Sequence, residues 1–164
     1  MKRIAILLSL LLAVTGAAFA DHAYSKVGIG LVGGGGVQGG DIGLALKLPK
    51  SPLFWGLHLN IYSGYVGLGA TGDKYFNDET LVREGNFKLD WYMGLGGYAN
   101  LGFGSSASAS IGARLPVGLS WHITKTAELW LGIAPSLGIG ILPSFSFPNW
   151  DIAGELGFRL WLNQ

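Results

Sequence analysis

The chain has 164 residues, a formal net charge of +1, 49% hydrophobic and 13% charged residues, 28 glycines and no cysteine. A near-neutral balance gives no electrostatic case for nucleic acid, and the lack of cysteine excludes disulfides and a thiol-held metal or lipid anchor. Charged residues stand at about half the usual share, yet beyond the first twenty residues no apolar run is long enough for a helix to cross a bilayer.

Lys2 and Arg3 precede an apolar run from Ile4 to Val14, followed by small residues ending in Ala18-Phe19-Ala20. This order of charge, apolar stretch and A-x-A site predicts a secretory signal peptide over residues 1–20, cut before Asp21. The run is short for a membrane anchor. Residues 21–164 then form one domain.

Period-two alternation governs that domain. Val27, Ile29 and Leu31 alternate with Lys26, Gly28 and Gly30. Ile42, Leu44, Leu46 and Leu48 alternate with Asp41, Ala45 and Lys47, and Leu53, Trp55, Leu57, Leu59 and Ile61 with His58 and Asn60. Over 65–76 the pattern is weaker. Val66, Leu68 and Ala70 alternate with small residues, but Lys74 falls on the apolar face, which predicts a bulge or a strand end there. Further strands are read over 87–103, 111–123, 128–141 and 150–162. In the last, Trp150, Ile152, Leu156, Phe158, Leu160 and Leu162 occupy one face and Asp151, Glu155 and Arg159 the other. A four-residue charge spacing fits a helix as well, but the alternation between the charges and the two glycines favours a strand. Turn-rich links join these segments: Gly33–Gly40, Pro49–Pro52, Ser63-Gly64, Asn77–Asn86, Gly104–Ser110, Thr124–Thr126 and Leu142–Asn149. The fold class expected is all-β, an up-and-down meander of eight antiparallel strands closed into a transmembrane barrel.

The faces decide what lies inside. One is bulky, apolar and nearly uncharged; the other mixes charges with Gly, Ala and Ser. An eight-stranded barrel has a narrow interior, so the small, charged face fits the lumen and the Leu/Ile/Trp face fits lipid. A periplasmic sandwich or lipocalin-like barrel would need the reverse, with large side chains crowded inward. Aromatic residues gather near strand ends on the apolar face: Trp55, Phe87, Trp91, Phe103, Trp121, Trp150 and Phe158. Trp91 to Phe103 spans roughly 40 Å of strand. Tilted, that is close to the ~25 Å apolar band between aromatic girdles. Inside, positive and negative residues nearly balance, which predicts a paired lumenal network rather than an ion filter. Arg114, Glu155, Arg159, Asp151, Asp90 and Lys47 are its expected members.

The stretches "GARLPVGLSWHIT" (112–124), "ELWLGIAPSLGI" (128–139) and "WDIAGELGFRLWL" (150–162) carry a family likeness. With Pro116 inside "RLPVGLS", the Ile133-Ala134-Pro135 triplet and an inward acid and arginine on the closing strand, the chain resembles small spirochaete outer-membrane barrels with an OmpA transmembrane-domain-like fold. More distantly it resembles OmpW- and OmpX-type eight-strand barrels. The likeness covers roughly residues 25–162. It implies insertion by the barrel-assembly machinery, contact with outer-membrane lipids, a monomer and, for some members, a host protein as partner. The chain departs from the usual aromatic ending, since Gln164 is last; Phe158, Leu160 and Leu162 would serve as the assembly signal.

Other motifs fail on context. "GIGLVG" (28–33) and "GLGATG" (67–72) match a dinucleotide fingerprint but open no helix. His22, His58 and His122 are isolated, so neither metal nor cofactor is expected. Ser120, His122 and Glu128 invite comparison with lipid-modifying barrel enzymes, but they face the lumen in the wrong order. The expectation is a non-enzymatic barrel of structural or surface-interaction role, with a narrow channel for small or hydrophobic solutes as the alternative and a lipid-modifying enzyme as a further one.

Overall fold

The computed structural model describes residues 26–36, 39–62, 64–85 and 87–162. The expected signal peptide, residues 1–20, lies outside them. Among the described residues there are nine antiparallel strands: β1 (Val27–Gly36), β2 (Gly39–Lys47), β3 (Phe54–Tyr62), β4 (Tyr65–Glu84), β5 (Phe87–Phe103), β6 (Ser108–Arg114), β7 (Val117–His122), β8 (Ala127–Leu142) and β9 (Ser146–Leu162). Each pairs with the next along the chain, except that β6 and β7 both lie between β5 and β8; β9 returns to β1. The sheet is therefore closed, with eight walls.

The sixth wall is split because proline cannot donate to the ladder. Pro116 sits between β6 and β7, yet the register runs on across it. Gly94 N–H donates to Pro116 O at 2.9 Å, and Leu115 N–H donates to Pro135 O at 2.9 Å. The two prolines interrupt hydrogen bonds, not the path of the wall.

One circuit of paired residues measures the tilt. Leu101 on β5 pairs with Leu68, then come Leu59, Ile42, Gly33, Leu156, Leu131, Leu119 and finally Trp91, again on β5. The circuit returns ten residues below its start. Ten rises of ~3.3 Å against eight strand spacings of ~4.7 Å give a tilt of about 41° and a backbone radius of about 8 Å. A lumen of that width holds a few large side chains or many small ones.

Burial is inverted relative to a soluble domain. Lys47 and Asp90 are the largest fully buried side chains, and Asp73, Arg114, Glu128 and Arg159 are buried beside them. Outside, Leu31, Ile42, Leu131 and Leu156 are each at least 57% exposed, and they belong to a belt of leucine, isoleucine and valine around all eight walls. No helix among the described residues is long and apolar enough to cross a membrane, which does not bear on crossing by strands.

Two expectations about links are corrected. Residues 77–84, read as the longest link, are strand: β4 continues to Glu84 against β5, with register shifts between Tyr75 and Asn77 and between Thr80 and Val82. The first shift is the bulge anticipated beside Lys74. The links at the end opposite the termini are also shorter than expected, since β1 reaches Gly36, β2 starts at Gly39, β6 at Ser108 and β9 at Ser146. At two of the remaining turns glycine supplies the positive φ that a tight reversal requires: 75° at Gly64 and 57° at Gly85.

Candidate functional site

The inner face differs between its two ends, and the difference is written in residue size. Toward the termini the inward positions include Phe54, Tyr75, Tyr92, Trp130 and Trp161. Toward the other end they include Gly34, Gly36, Gly67, Gly69, Gly102, Gly112, Gly138 and Gly140. Large residues fill one half of the tube, where Gly118, Gly132 and Gly157 make room for them, and the other half is left open as a cavity.

The filled half is a plug built around Arg159. Its guanidinium carbon stands 4.4 Å from the Trp130 ring centre, 4.8 Å from that of Phe54 and 5.3 Å from that of Trp161. Arg159 Nη1 donates to Glu128 Oε2 at 3.1 Å. The same carboxylate oxygen accepts from Trp161 Nε1 at 2.7 Å, and Oε1 accepts from Ser120 Oγ at 2.7 Å. A buried carboxylate with three donors and a counter-charge meets the condition under which burying charge is tolerable. Phe54, Tyr75 and Tyr92 extend the plug across the lumen, with ring centres 4.6 and 4.8 Å apart. A methyl group at Gly157 would collide with the Trp130 ring, so glycine there is what admits the indole. Lys47 borders the plug. Its ammonium lies 5.3 Å from the Phe54 ring centre and donates to the carbonyls of Leu48 and Ser51, tying off the β2–β3 turn.

Above the plug sits a second ion cluster. Arg114 Nη2 donates to Glu155 Oε1 at 2.6 Å, and its Nε lies 3.1 Å from Asp73 Oδ1. One guanidinium thus serves two carboxylates, and all three side chains are less than 15% exposed. Below the plug, Asp90 faces Lys88 at 2.7 Å and His122 at 3.2 Å.

The six residues expected to form one network therefore separate. The structure joins Arg114 with Glu155, but places Arg159 with Glu128, Asp90 with Lys88 and His122, and Lys47 with backbone carbonyls. Asp151 lies nearer the open end, where its Oδ1 accepts from the Ile152 amide at 2.8 Å. Depth is the reason: on a tilted strand Arg159 is eight residues from Asp151, more than any side chain spans. The plug aromatics went unassigned, although a signal existed. Trp130 and Trp161 fall on the small, charged face rather than the apolar one. Of the seven aromatics expected to ring the barrel, Trp55, Phe87, Trp121 and Phe158 are exposed toward the terminal end and Phe103 and Trp150 toward the other, while Trp91 is half-buried.

Ser120 and His122 share a face without forming a nucleophile–base pair. Ser120 is bonded to Glu128, and the imidazole turns to Asp90. Among the described residues no group of three histidine, aspartate or glutamate side chains could hold a metal ion.

The open half holds a cavity of about 510 Å³. Its lining includes Asp41, whose Oδ1 lies 3.2 Å from His58 Nδ1, and Thr71, whose hydroxyl lies 3.4 Å from His58 Nε2. Arg114 and Glu155 border it toward the plug. It is a blind cup with its mouth opposite the chain termini.

No family model matches the chain, and no curated protein matches it. Among solved structures the chain is similar to the crystal structure of Neisserial surface protein A (NspA), with 17% identity over 84% of this chain and 97% of that one, at a TM-score of 0.41.

Proposed function

We propose that the protein is an integral outer-membrane barrel, exported on a cleaved signal peptide and inserted by the barrel-assembly machinery. It serves a structural or surface role without enzymatic activity and without conducting solutes. The observation that carries this is the inverted polarity of a closed sheet: an unbroken apolar belt outside, buried ion clusters inside. In lipid every backbone group must be paired internally, which a closed ring provides. In water the same belt would be an aggregation hazard far beyond the usual exposed patch.

The plug argues against the channel alternative. Phe54, Tyr75, Tyr92, Trp130, Trp161 and Arg159 fill the lumen below the cup, so a solute entering the mouth meets a floor. The termini lie on the periplasmic side in barrels of this kind, with the opposite end outside. The links at that end are short, which leaves little surface for a large host protein and places the emphasis on the lipid contact and the cup.

The test is direct. Expressed with its first twenty residues, the protein should fractionate with the outer membrane as a monomer. It should also migrate differently on detergent gels before and after boiling, because a closed barrel resists unfolding. Recovery as soluble periplasmic protein would defeat the proposal.

A further inference from the structure

The cup differs from the rest of the lumen in what its polar groups are doing. Around and below the plug, the carboxylates of Glu128 and Asp90 are held by cations and hydrogen-bond donors of the neighbouring strands. In the cup, among the described residues, Asn60, Asn100, Tyr98 and Ser110 line the cavity and make no side-chain hydrogen bond to protein. The sequence explains why. Asn60 lies across β3–β4 from Gly67, and Asn100 across β4–β5 from Gly69. A methyl group on Gly69 would stand 2.7 Å from the Asn100 carboxamide oxygen, and one on Gly67 would stand 3.3 Å from Asn60 Nδ2. On the β4 side each carboxamide thus rests against bare backbone, and across β5–β6 Asn100 stands opposite Ser110. Tyr98 faces Gly112 in the same way.

We infer that this cup is a binding site for a small neutral saccharide, an inference that rests on the barrel reading above. Three observations select the class. The volume, about 510 Å³, lies within the range of small-molecule sites. The uncommitted groups are carboxamides and hydroxyls, which both donate and accept, matching a ligand dense in hydroxyls. The charges exclude anions: Asp41, Glu155 and Asp151 border the cavity, while Arg114, the one guanidinium there among the described residues, is shared by Glu155 and Asp73. Carboxylates accept but do not donate, so they add acceptors for sugar hydroxyls and repel sugar acids or phosphates. The spread of these acids is too wide for a metal ion. The floor converts the opening from a passage into a pocket, since what enters cannot cross.

The experiment uses the full mature chain refolded in dodecylphosphocholine, a detergent without a sugar headgroup, and titrates maltose against amide and carboxamide NMR shifts. The expected result is saturable change confined to the upper lumen, at the Asn60 and Asn100 carboxamides and the Gly112 amide. Glucuronate should bind at least tenfold more weakly. Asn60→Leu combined with Asn100→Leu should weaken maltose at least tenfold while leaving the boiled-versus-unboiled gel shift unchanged. Absence of saturable shifts, shifts spread over the outer surface, equal binding of glucuronate, or an unaffected double variant would each overturn the inference. Loss of the gel shift in the wild-type chain would instead overturn the barrel reading itself.

Discussion

Consider the removal of Glu155 and of Arg114, singly and together. Arg114 lies between two carboxylates, 2.6 Å from Glu155 and 3.1 Å from Asp73. Glu155→Ala removes a charge-assisted hydrogen bond, yet the guanidinium keeps Asp73, so the loss should be near that of one such bond, about 1.5–3 kcal/mol. Arg114→Met is worse. It leaves Asp73 and Glu155 facing each other without a counter-charge, and breaking a buried pair in this way costs about 3–5 kcal/mol. In the double variant only Asp73 is orphaned, and the repulsion between the acids is gone. Its cost should therefore not exceed that of Arg114→Met alone, which makes the effects non-additive by about 1.5–3 kcal/mol. Restoring neutrality with Asp73→Asn in the double-variant background should recover part of the loss. Urea unfolding of the barrel refolded into lipid vesicles, scored by gel mobility of unboiled samples, measures all four species. Additive single effects, or Glu155→Ala matching Arg114→Met, would show that the guanidinium does not bridge the two acids.

Three further outcomes are expected. Ile133, 54% exposed on the apolar belt, should not tolerate charge: Ile133→Arg should cost about 2–4 kcal/mol in vesicles, as for a lipid-facing site near the bilayer midplane, and unchanged unfolding would remove Ile133 from the lipid face. Wild-type protein in planar bilayers should carry no steady current, whereas Trp130→Gly with Arg159→Ser should open the plug and give discrete steps; a conducting wild type would reinstate the channel. An epitope tag inserted at Ser106 should be reached by antibody on intact cells, and one at the Gly85 turn only after permeabilisation; the reverse result would invert the barrel in its membrane.

The sequence by itself was enough to determine the walls and their two faces, because period-two alternation follows from strand geometry before any contact is made. Leu129, Leu131 and Ile133 point outward and Glu128, Trp130 and Gly132 inward whatever lies beside them, and residue size on the inner face rules out packing the leucines there. A local signal also marked the bulge near Lys74, whereas the break at Pro116 falls inside the stretch 111–123 that the alternation reads as one strand. Residues 77–84 were illegible for a physical reason. Asn77-Asp78-Glu79-Thr80 presents no apolar face, and these residues become strand only because the lower part of β5 offers its hydrogen-bonding edge. The partners inside the lumen were likewise left to the tertiary structure. Which acid meets which base depends on depth along tilted walls, and depth depends on the ten-residue offset that closes the ring. That offset brings Asp73 and Glu155, distant in sequence, to the same guanidinium, and it separates Asp151 from Arg159 on one strand. The division of the lumen into plug and cup has the same origin, because the register decides that Phe54, Tyr75, Tyr92, Trp130 and Trp161, carried on five different strands, gather at one height.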